Sequence, residues 1–415
     1  IDNHWNNMNY LWSSDLRTKT TNEKHYYGRK KIGEVGNLID RELQHLFDKI
    51  EIEHDFVLFN PHDKTWDNEP YQMEFHFSEG QLFKEPRVKI NGECVPSQCE
   101  KKTFYRDGSL RTVTLVCLPV LGPFDFAQGE LVPDDTRLAS DEKISFKGKI
   151  ITIETRDVSV DLSRATGGDL RSLTFPSIFG SPLIGYLSPL FFDHVGHSND
   201  YYSMGVHMID PEKGVVNDTR STQIVIEGDR GHFPIRIPVT CKIPLDIGIL
   251  WKRYYIYQHI PRVDLEYSFY LDNVSPRSFR LGITTINPQS FSRDYLKFST
   301  TNGSPHIEEF FVKGRRIHHH QPVGTFSSGQ CCLGATEGWI DVSDQNKGIG
   351  IISDKSHMYS VPMVEYEEIK KSYLMRIYNS ISETDETGQI FWRGHNSISF
   401  TLLGHCSGIE RVRQC

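Results

Sequence analysis

Asp246-Ile-Gly-Ile-Leu-Trp251-Lys-Arg253-Tyr-Tyr255-Ile-Tyr257-Gln-His259-Ile-Pro261-Arg-Val263-Asp-Leu265-Glu-Tyr267-Ser-Phe269-Tyr270 reads as two long β-strands. Trp251, Arg253 and Tyr255 alternate in the first half, and Val263, Leu265, Tyr267 and Phe269 in the second. That period of two is the signature of a strand with one face in a core. His259-Ile-Pro261 interrupts the run and joins the pair. Antiparallel strands this long build large two-sheet sandwiches.

The pattern extends in both directions. Strands are predicted at Val158–Leu162, Leu170–Phe175, Gln223–Glu227, Ile235–Lys242, Phe279–Thr285, Gly348–Ser353, Tyr373–Tyr378 and Asn396–Leu403. Upstream, Phe56–Phe59, Tyr71–Phe77, Arg87–Ile90, Thr112–Leu118 and Ile150–Ile153 also read as strands. Asn91-Gly92 and Asp107-Gly108 supply hairpin turns between them. The first 50 residues differ. Ile32, Val35, Ile39, Leu43, Leu46 and Ile50 recur every three or four residues, which predicts a helix over about 30–50 with an apolar stripe to bury. The expected fold is therefore mainly β: a helical segment over 1–50, a small β-sandwich over 51–140, and a large β-supersandwich over 141–415. Pro133-Asp-Asp-Thr-Arg137 and Ser140-Asp-Glu-Lys143 read as the polar connection between the last two.

Composition narrows the function. The chain has 415 residues and a net charge of −8, which argues against a nucleic-acid partner. No run of 18 apolar residues occurs, so no membrane-spanning helix is expected. Aromatics make up 12%, which suits strand cores and sugar-stacking platforms alike. The eight Cys match no zinc signature and are expected to be free and mostly buried. Three Asn-x-Ser/Thr triplets, at Asn217, Asn273 and Asn302, do not establish secretion. The compartment is not assigned. The polar start at Ile1–Tyr10, without an initiator Met or an apolar leader, suggests a fragment or a tail module that stands alone.

Several segments resemble the C-terminal region of large retaining α-glycosidases of the family 38 α-mannosidase and family 57 type. They are Phe56-Val-Leu-Phe-Asn-Pro61 followed by Trp66, Leu118-Pro-Val-Leu-Gly122, and Val158-Ser-Val-Asp-Leu162 with Gly167-Gly168 and Leu170-Arg-Ser-Leu173. Asp200-Tyr-Tyr-Ser203, Val216-Asn-Asp-Thr219 and Tyr10–Thr18 add to the likeness. It covers most of the chain, and its weight lies in the order of short motifs. It implies a galactose-mutarotase-like supersandwich. In those families the catalytic carboxylates lie on a preceding barrel, and no β/α alternation here could form one. No catalytic residue is therefore carried over. The partners implied are a glycan and a missing N-terminal catalytic domain or partner chain. The chain itself implies no cofactor and no metal site, and a divalent metal would belong to the missing domain.

Candidate contact residues follow from clusters of polar and aromatic side chains. Asp193-His194-Val-Gly-His197-Ser-Asn-Asp200-Tyr201-Tyr202 is the densest, and its His194, His197, Asp200, Tyr201 and Tyr202 could contact a sugar. Glu337, Trp339 and Asp341 fall on one face of a strand. Glycoside hydrolysis needs two carboxylates about 5–9.5 Å apart. Four residues along a strand span roughly 13 Å, so Glu337 and Asp341 suit contact rather than that chemistry. Arg393 and His395 lie near the last strand. Aldose epimerases of this sandwich type use a carboxylate and a His, and His395 with Glu365 or Glu383 is the pair available. His318-His319-His320 reads as a solvated loop.

Three functions remain open. The first is the carbohydrate-associated C-terminal portion of an α-mannosidase-like glycoside hydrolase. The second is a stand-alone sugar epimerase or lyase. The third is a non-enzymatic interaction module.

Overall fold

The computed structural model describes residues 22–47, 55–80, 86–133, 142–185, 204–210, 212–227, 235–276, 278–301, 306–317, 338–354, 361–369, 372–383 and 392–406. The chain is mainly β, with one helix among the described residues. That helix, Asn22–Phe47, starts earlier than the apolar stripe indicates. Glu23, Lys24, Arg29, Lys30 and Lys31 are good helix formers and carry it through Gly28. The expected burial of its stripe needs correction. Val35 is buried, but Ile32 and Ile39 are 58% and 45% exposed. No described helix is long and apolar enough to cross a membrane.

The small sandwich pairs two sheets. One orders Phe56–Phe59, Phe126–Pro133, Pro86–Ile90 and Glu93–Cys94, and the other Tyr71–His76, Leu110–Cys117 and Ser97–Phe104. Leu58, Val88, Val113, Leu115 and Leu121 fill the space between them. Asn91 and Gly92 both take positive φ (51° and 83°), which fits the tight hairpin read from the sequence. Asn60 is fully buried. Its Nδ2 donates to the Lys64 and Gly122 carbonyls at 2.8 Å each, and its Oδ1 accepts from the His62 N–H at 3.0 Å. Asn60-Pro61 is thus a corner that ties a strand end to two loops.

The larger region contains three antiparallel sheets around one core. The biggest has nine strands, in the order Gln223–Ile226, Arg236–Leu245, Gly248–Tyr257, Arg262–Val274, Trp392–His405, Gly348–Ser353, Trp339–Ser343, Lys297–Thr300, Glu308–Phe311. The long pair in the middle is the one predicted. Its register, Leu250↔Phe269, Lys252↔Tyr267, Tyr254↔Leu265 and Ile256↔Val263, decides the faces. Those eight side chains point inward and are buried. Trp251, Arg253 and Tyr255 therefore point outward, together with Asp264, Glu266 and Ser268.

Gly167-Gly168 leads into the Asp169–Phe175 strand. Both glycines have positive φ (70° and 72°). A Cβ on Gly167 would lie 2.1 Å from the Asp218 carbonyl oxygen, and one on Gly168 would lie 2.3 Å from Cys241 Sγ. The pair is needed both for its backbone conformation and for this close approach.

The small sandwich docks on the outward face of the nine-stranded sheet. Gln98 Oε1 accepts from the Ile235 and Arg236 N–H groups, and its Nε2 donates to the Arg236 carbonyl. The Arg236 guanidinium reaches back to both Glu100 oxygens, at 2.5 and 2.7 Å. Arg262 Nη1 donates to Glu69 at 2.9 Å. Val116, Leu118, Ile235, Tyr257 and Ile260 close the apolar part of this contact.

Candidate functional site

The outward face continues beyond the docked sandwich. Ile340, Val342, Ile349, Ile351, Phe298, Phe400 and Leu402 belong to the core. Alternation then places Asp341, Ser343, Gly348, Gly350, Lys297, Ser299 and His405 on the opposite face. Gly348 and Gly350 present no side chains there. They form a trough between the strand carrying Asp341 and the strand carrying His405. His405 is paired with Gly348 in register, and its ring covers that glycine. A Cβ on Gly348 would lie 2.4 Å from the His405 Cε1 and Nε2 atoms.

Across this trough His405 Nε2 sits 2.6 Å from Asp341 Oδ1. Ser343 Oγ donates to the other Asp341 oxygen at 2.7 Å. Asp341 and His405 are both buried. They line a hollow of about 300 Å³ together with Lys297, Ser299, Glu309 and Lys347. Lys297 is paired with Glu309, and Lys347 with Asp344 at 3.3 Å. The Lys347 ammonium also sits 3.9 Å from the centre of the Phe179 ring. Burial works to raise the Asp344 pKa, but the Ser292, Asn346 and Lys347 N–H groups outweigh it and hold the carboxyl below its ordinary value.

Two buried polar atoms of the hollow residues, His405 Nδ1 and Ser299 Oγ, have no hydrogen-bond partner among the described residues. A buried polar group of this kind costs about 1–3 kcal/mol unless something meets it. In the tautomer that carries its hydrogen on Nε2, His405 donates to the Asp341 carboxylate. Nδ1 is then left as an acceptor for a hydroxyl or ammonium donor. The arrangement can orient a polar ligand.

A second, smaller hollow of about 180 Å³ lies on the same face. Thr240, Trp251, Arg253, Glu266, Ser268 and His395 line it. Ser268 Oγ donates to Glu266 Oε1 at 3.1 Å, and Arg253 Nε to Thr240 Oγ1 at 3.2 Å.

A crystallised glycosyl hydrolase family 38 protein from Enterococcus faecalis is similar to this chain over 98% of its residues, with TM-score 0.55 and 14% identity. The fold resembles that protein's fold. The match covers 53% of the Enterococcus chain, so this chain spans about half of its length. A galactose 1-epimerase from Lactobacillus acidophilus is similar over 65% of this chain and 100% of its own, at TM-score 0.40 and 10% identity. A galactose mutarotase-like protein from Clostridium acetobutylicum is similar over 64% and 98%, at TM-score 0.40 and 10% identity. No family model and no curated protein matches the sequence. At these identities the first likeness defines the fold and leaves the chemistry to the site.

The candidates read from the sequence separate in the structure. His194, His197, Asp200, Tyr201, Tyr202 and Glu337 lie outside the described residues. Asp341 and Trp339 share a face, as their spacing implies. Trp339, however, is buried against Leu403, with its Nε1 donating to Thr301 Oγ1 at 3.1 Å, so its ring offers no stacking platform. Asp341 is not a solvated contact residue either, since both of its oxygens are engaged. His395 and Arg393 are exposed. His395 does not meet Glu365. That carboxylate lies on the Val361–Ile369 strand of another sheet, buried against Arg376 Nη2 at 2.7 Å. The carboxylate that shares the hollow of His395 is Glu266, four register positions away along the neighbouring strand.

Sequence reading missed His405, Ser299, Lys297 and Lys347. One signal was available for His405. Two glycines at alternate positions in Gly348-Ile-Gly-Ile-Ile-Ser353 mark a strand whose outward face is bare, which allows side chains from the flanking strands to meet.

Proposed function

We propose that the outward face of the nine-stranded sheet is the carbohydrate-contacting surface of an α-mannosidase-like glycoside hydrolase, with the His405–Asp341 hollow as its anchor. The observation that carries this reading is the polar lining of the hollow, where the His405–Asp341 pair and Ser343 meet the Lys297–Glu309 and Lys347–Asp344 ion pairs. Sugar hydroxyls supply matching polar groups at close spacing. The partly exposed Lys297–Glu309 pair suits the same ligand. Glycosidic bond cleavage, in this reading, belongs to another portion or a partner chain, which this β-rich chain braces.

The test is glycan-array and calorimetric binding of the purified chain, compared with Asp341→Ala. Binding of a mannose- or galactose-containing glycan that drops at least tenfold in the variant supports the reading. Glycan binding unaltered by Asp341→Ala, or no binding at all, removes it.

The same His–carboxylate pair favours a second reading, proton transfer on a free sugar by an epimerase. Accelerated interconversion of aldose anomers, followed by NMR, would select it. Loss of that rate in His405→Gln would assign the proton transfer to the imidazole.

A further inference from the structure

Lys252 occupies an inward position of the long central strand pair, where a hydrocarbon side chain is expected. Its ammonium is fully buried between two buried carboxylates, Asp169 and Asp218. Nζ donates to Asp169 Oδ1 at 2.5 Å and is ion-paired with Asp218 Oδ2. Each residue belongs to a different part of the core. Asp169 opens the strand that follows Gly167-Gly168, Asp218 directly follows the Gly214–Asn217 strand of a second sheet, and Lys252 lies in the nine-stranded sheet.

The surroundings are enclosed and chemically quiet. Tyr254, Tyr267 and Cys241 are fully buried. Tyr254 OH donates to the Gly168 carbonyl and Tyr267 OH to the Met204 carbonyl, both at 2.7 Å, so neither hydroxyl is directed at the cluster. Asp218 Oδ1 accepts from the Val206 N–H at 3.0 Å, which fixes that carboxylate. One ammonium faces two carboxylates in a low-dielectric interior, with the Arg171 charge also acting on Asp169, and burying this many charges is costly. Burial pushes the Asp169 carboxyl well above its ordinary value, even against the Lys252 charge. Burial also works against the Lys252 ammonium, but Asp169 and Asp218 outweigh it and hold its pKa above the ordinary lysine value.

We propose that Lys252 and Asp169 condense into an intramolecular amide, with Asp218 as the acid–base residue. One ammonium proton passes to the Asp169 carboxylate, giving a neutral amine beside a neutral acid. Nζ attacks Asp169 Cγ. Asp218 accepts a proton from the attacking nitrogen and returns it to the departing hydroxyl. One C–N bond forms, one C–O bond breaks, and one water leaves. No oxidant or reductant is needed, and Asp218 ends as it began. The product removes the Lys252 and Asp169 charges and joins two sheets through residues 83 positions apart.

Intact mass under denaturing, reducing conditions tests this on the full chain. The expected mass is one water, about 18 Da, below that of the sequence. After trypsin, Lys252 should resist cleavage, and a branched species should join peptide 165–171 to peptide 243–253. Asp218→Asn should restore the full mass and cleavage at Lys252 while far-UV circular dichroism stays β-rich. Full sequence mass in the wild-type chain overturns the proposal. So does a dehydrated chain that is still cleaved after Lys252 and yields no branched species, because dehydration within Asp169 alone gives that result. An intact cross-link in Asp218→Asn overturns the role of Asp218. The wild-type measurement stands even where a variant does not fold.

Discussion

His405 reaches Asp341 across a glycine. The imidazole lies over Gly348, and its Nε2 is 2.6 Å from the Asp341 carboxylate on the far side of that strand. The pair exists because the intervening strand has no side chain at this point. Gly348→Ala should therefore displace the ring. Its Cβ would also lie 2.9 Å from Ser343 Cβ, so the substitution is pressed from two sides. We expect about 1–3 kcal/mol of destabilisation from overpacking, and ligand affinity reduced as far as in Asp341→Ala. Urea unfolding and calorimetry read the two effects. Wild-type affinity in Gly348→Ala would show that the His405 position is not needed.

Gly168 has positive φ and faces a sulfur atom. Gly168→Ala should cost about 1–3 kcal/mol through the backbone conformation and a further ~1–3 kcal/mol through contact with Cys241 Sγ. A variant within 0.5 kcal/mol of wild type in urea unfolding would contradict the closeness of the two.

The thiols should fall into two classes. Burial pushes Cys117 and Cys241 up to about 12, so neither presents a thiolate near neutral pH. Cys94 and Cys406 are exposed. A chromogenic disulfide reagent at pH 8 should modify Cys94 and Cys406 in the folded chain, and Cys117 and Cys241 only after unfolding. Peptide mapping of the labelled sites checks the assignment. Rapid labelling of Cys241 in the folded chain would contradict its enclosure.

Asn60 should be worth more than its place in a loop suggests. Asn60→Ala leaves the Lys64 and Gly122 carbonyls and the His62 N–H without their buried partner. We expect a loss of about 2–4 kcal/mol, read as a lower urea midpoint. Asn60→Asp keeps the acceptor but removes both donated bonds, and it should recover only part of the loss.

Asp264 gives the sheet contact an acid sensitivity. It accepts from Arg262 Nε, Thr401 Oγ1 and Tyr257 OH at 2.6–2.7 Å. Burial works to raise its pKa, but Arg262 and Arg236 outweigh it and hold the carboxyl below its ordinary value. Since the folded-state pKa is the lower one, its contribution is complete above pH ~4. It disappears as the pH falls through the folded-state value. Asp264→Asn should cost about 1.5–3 kcal/mol at pH 7, and that deficit should shrink as the pH falls below the ordinary Asp value. Unfolding curves at pH 7, 5 and 2.5 measure it, and a deficit equal at all three would contradict the assignment.

The mainly β character, the long central strand pair and the Asn91-Gly92 hairpin are legible in the residues alone. These are local properties. Side-chain alternation, turn chemistry and helix periodicity are written into neighbouring residues, and short-range sterics enforce them. Which face of each strand meets the core, and which distant residues meet one another, follows from the packing of the sheets. Alternation alone could not show that Lys252 points inward and Trp251 outward. That choice follows the register and the apolar company of Leu250, Tyr254 and Ile256 on the inward face, where Asp169, 83 positions away, meets the ammonium. Nor could spacing pair Asp341 with His405, 64 positions away, because the pairing requires another strand to lie between them with a glycine at the crossing. Local sequence specifies the strands, whereas contacts between remote segments, set by register and burial, create the sites.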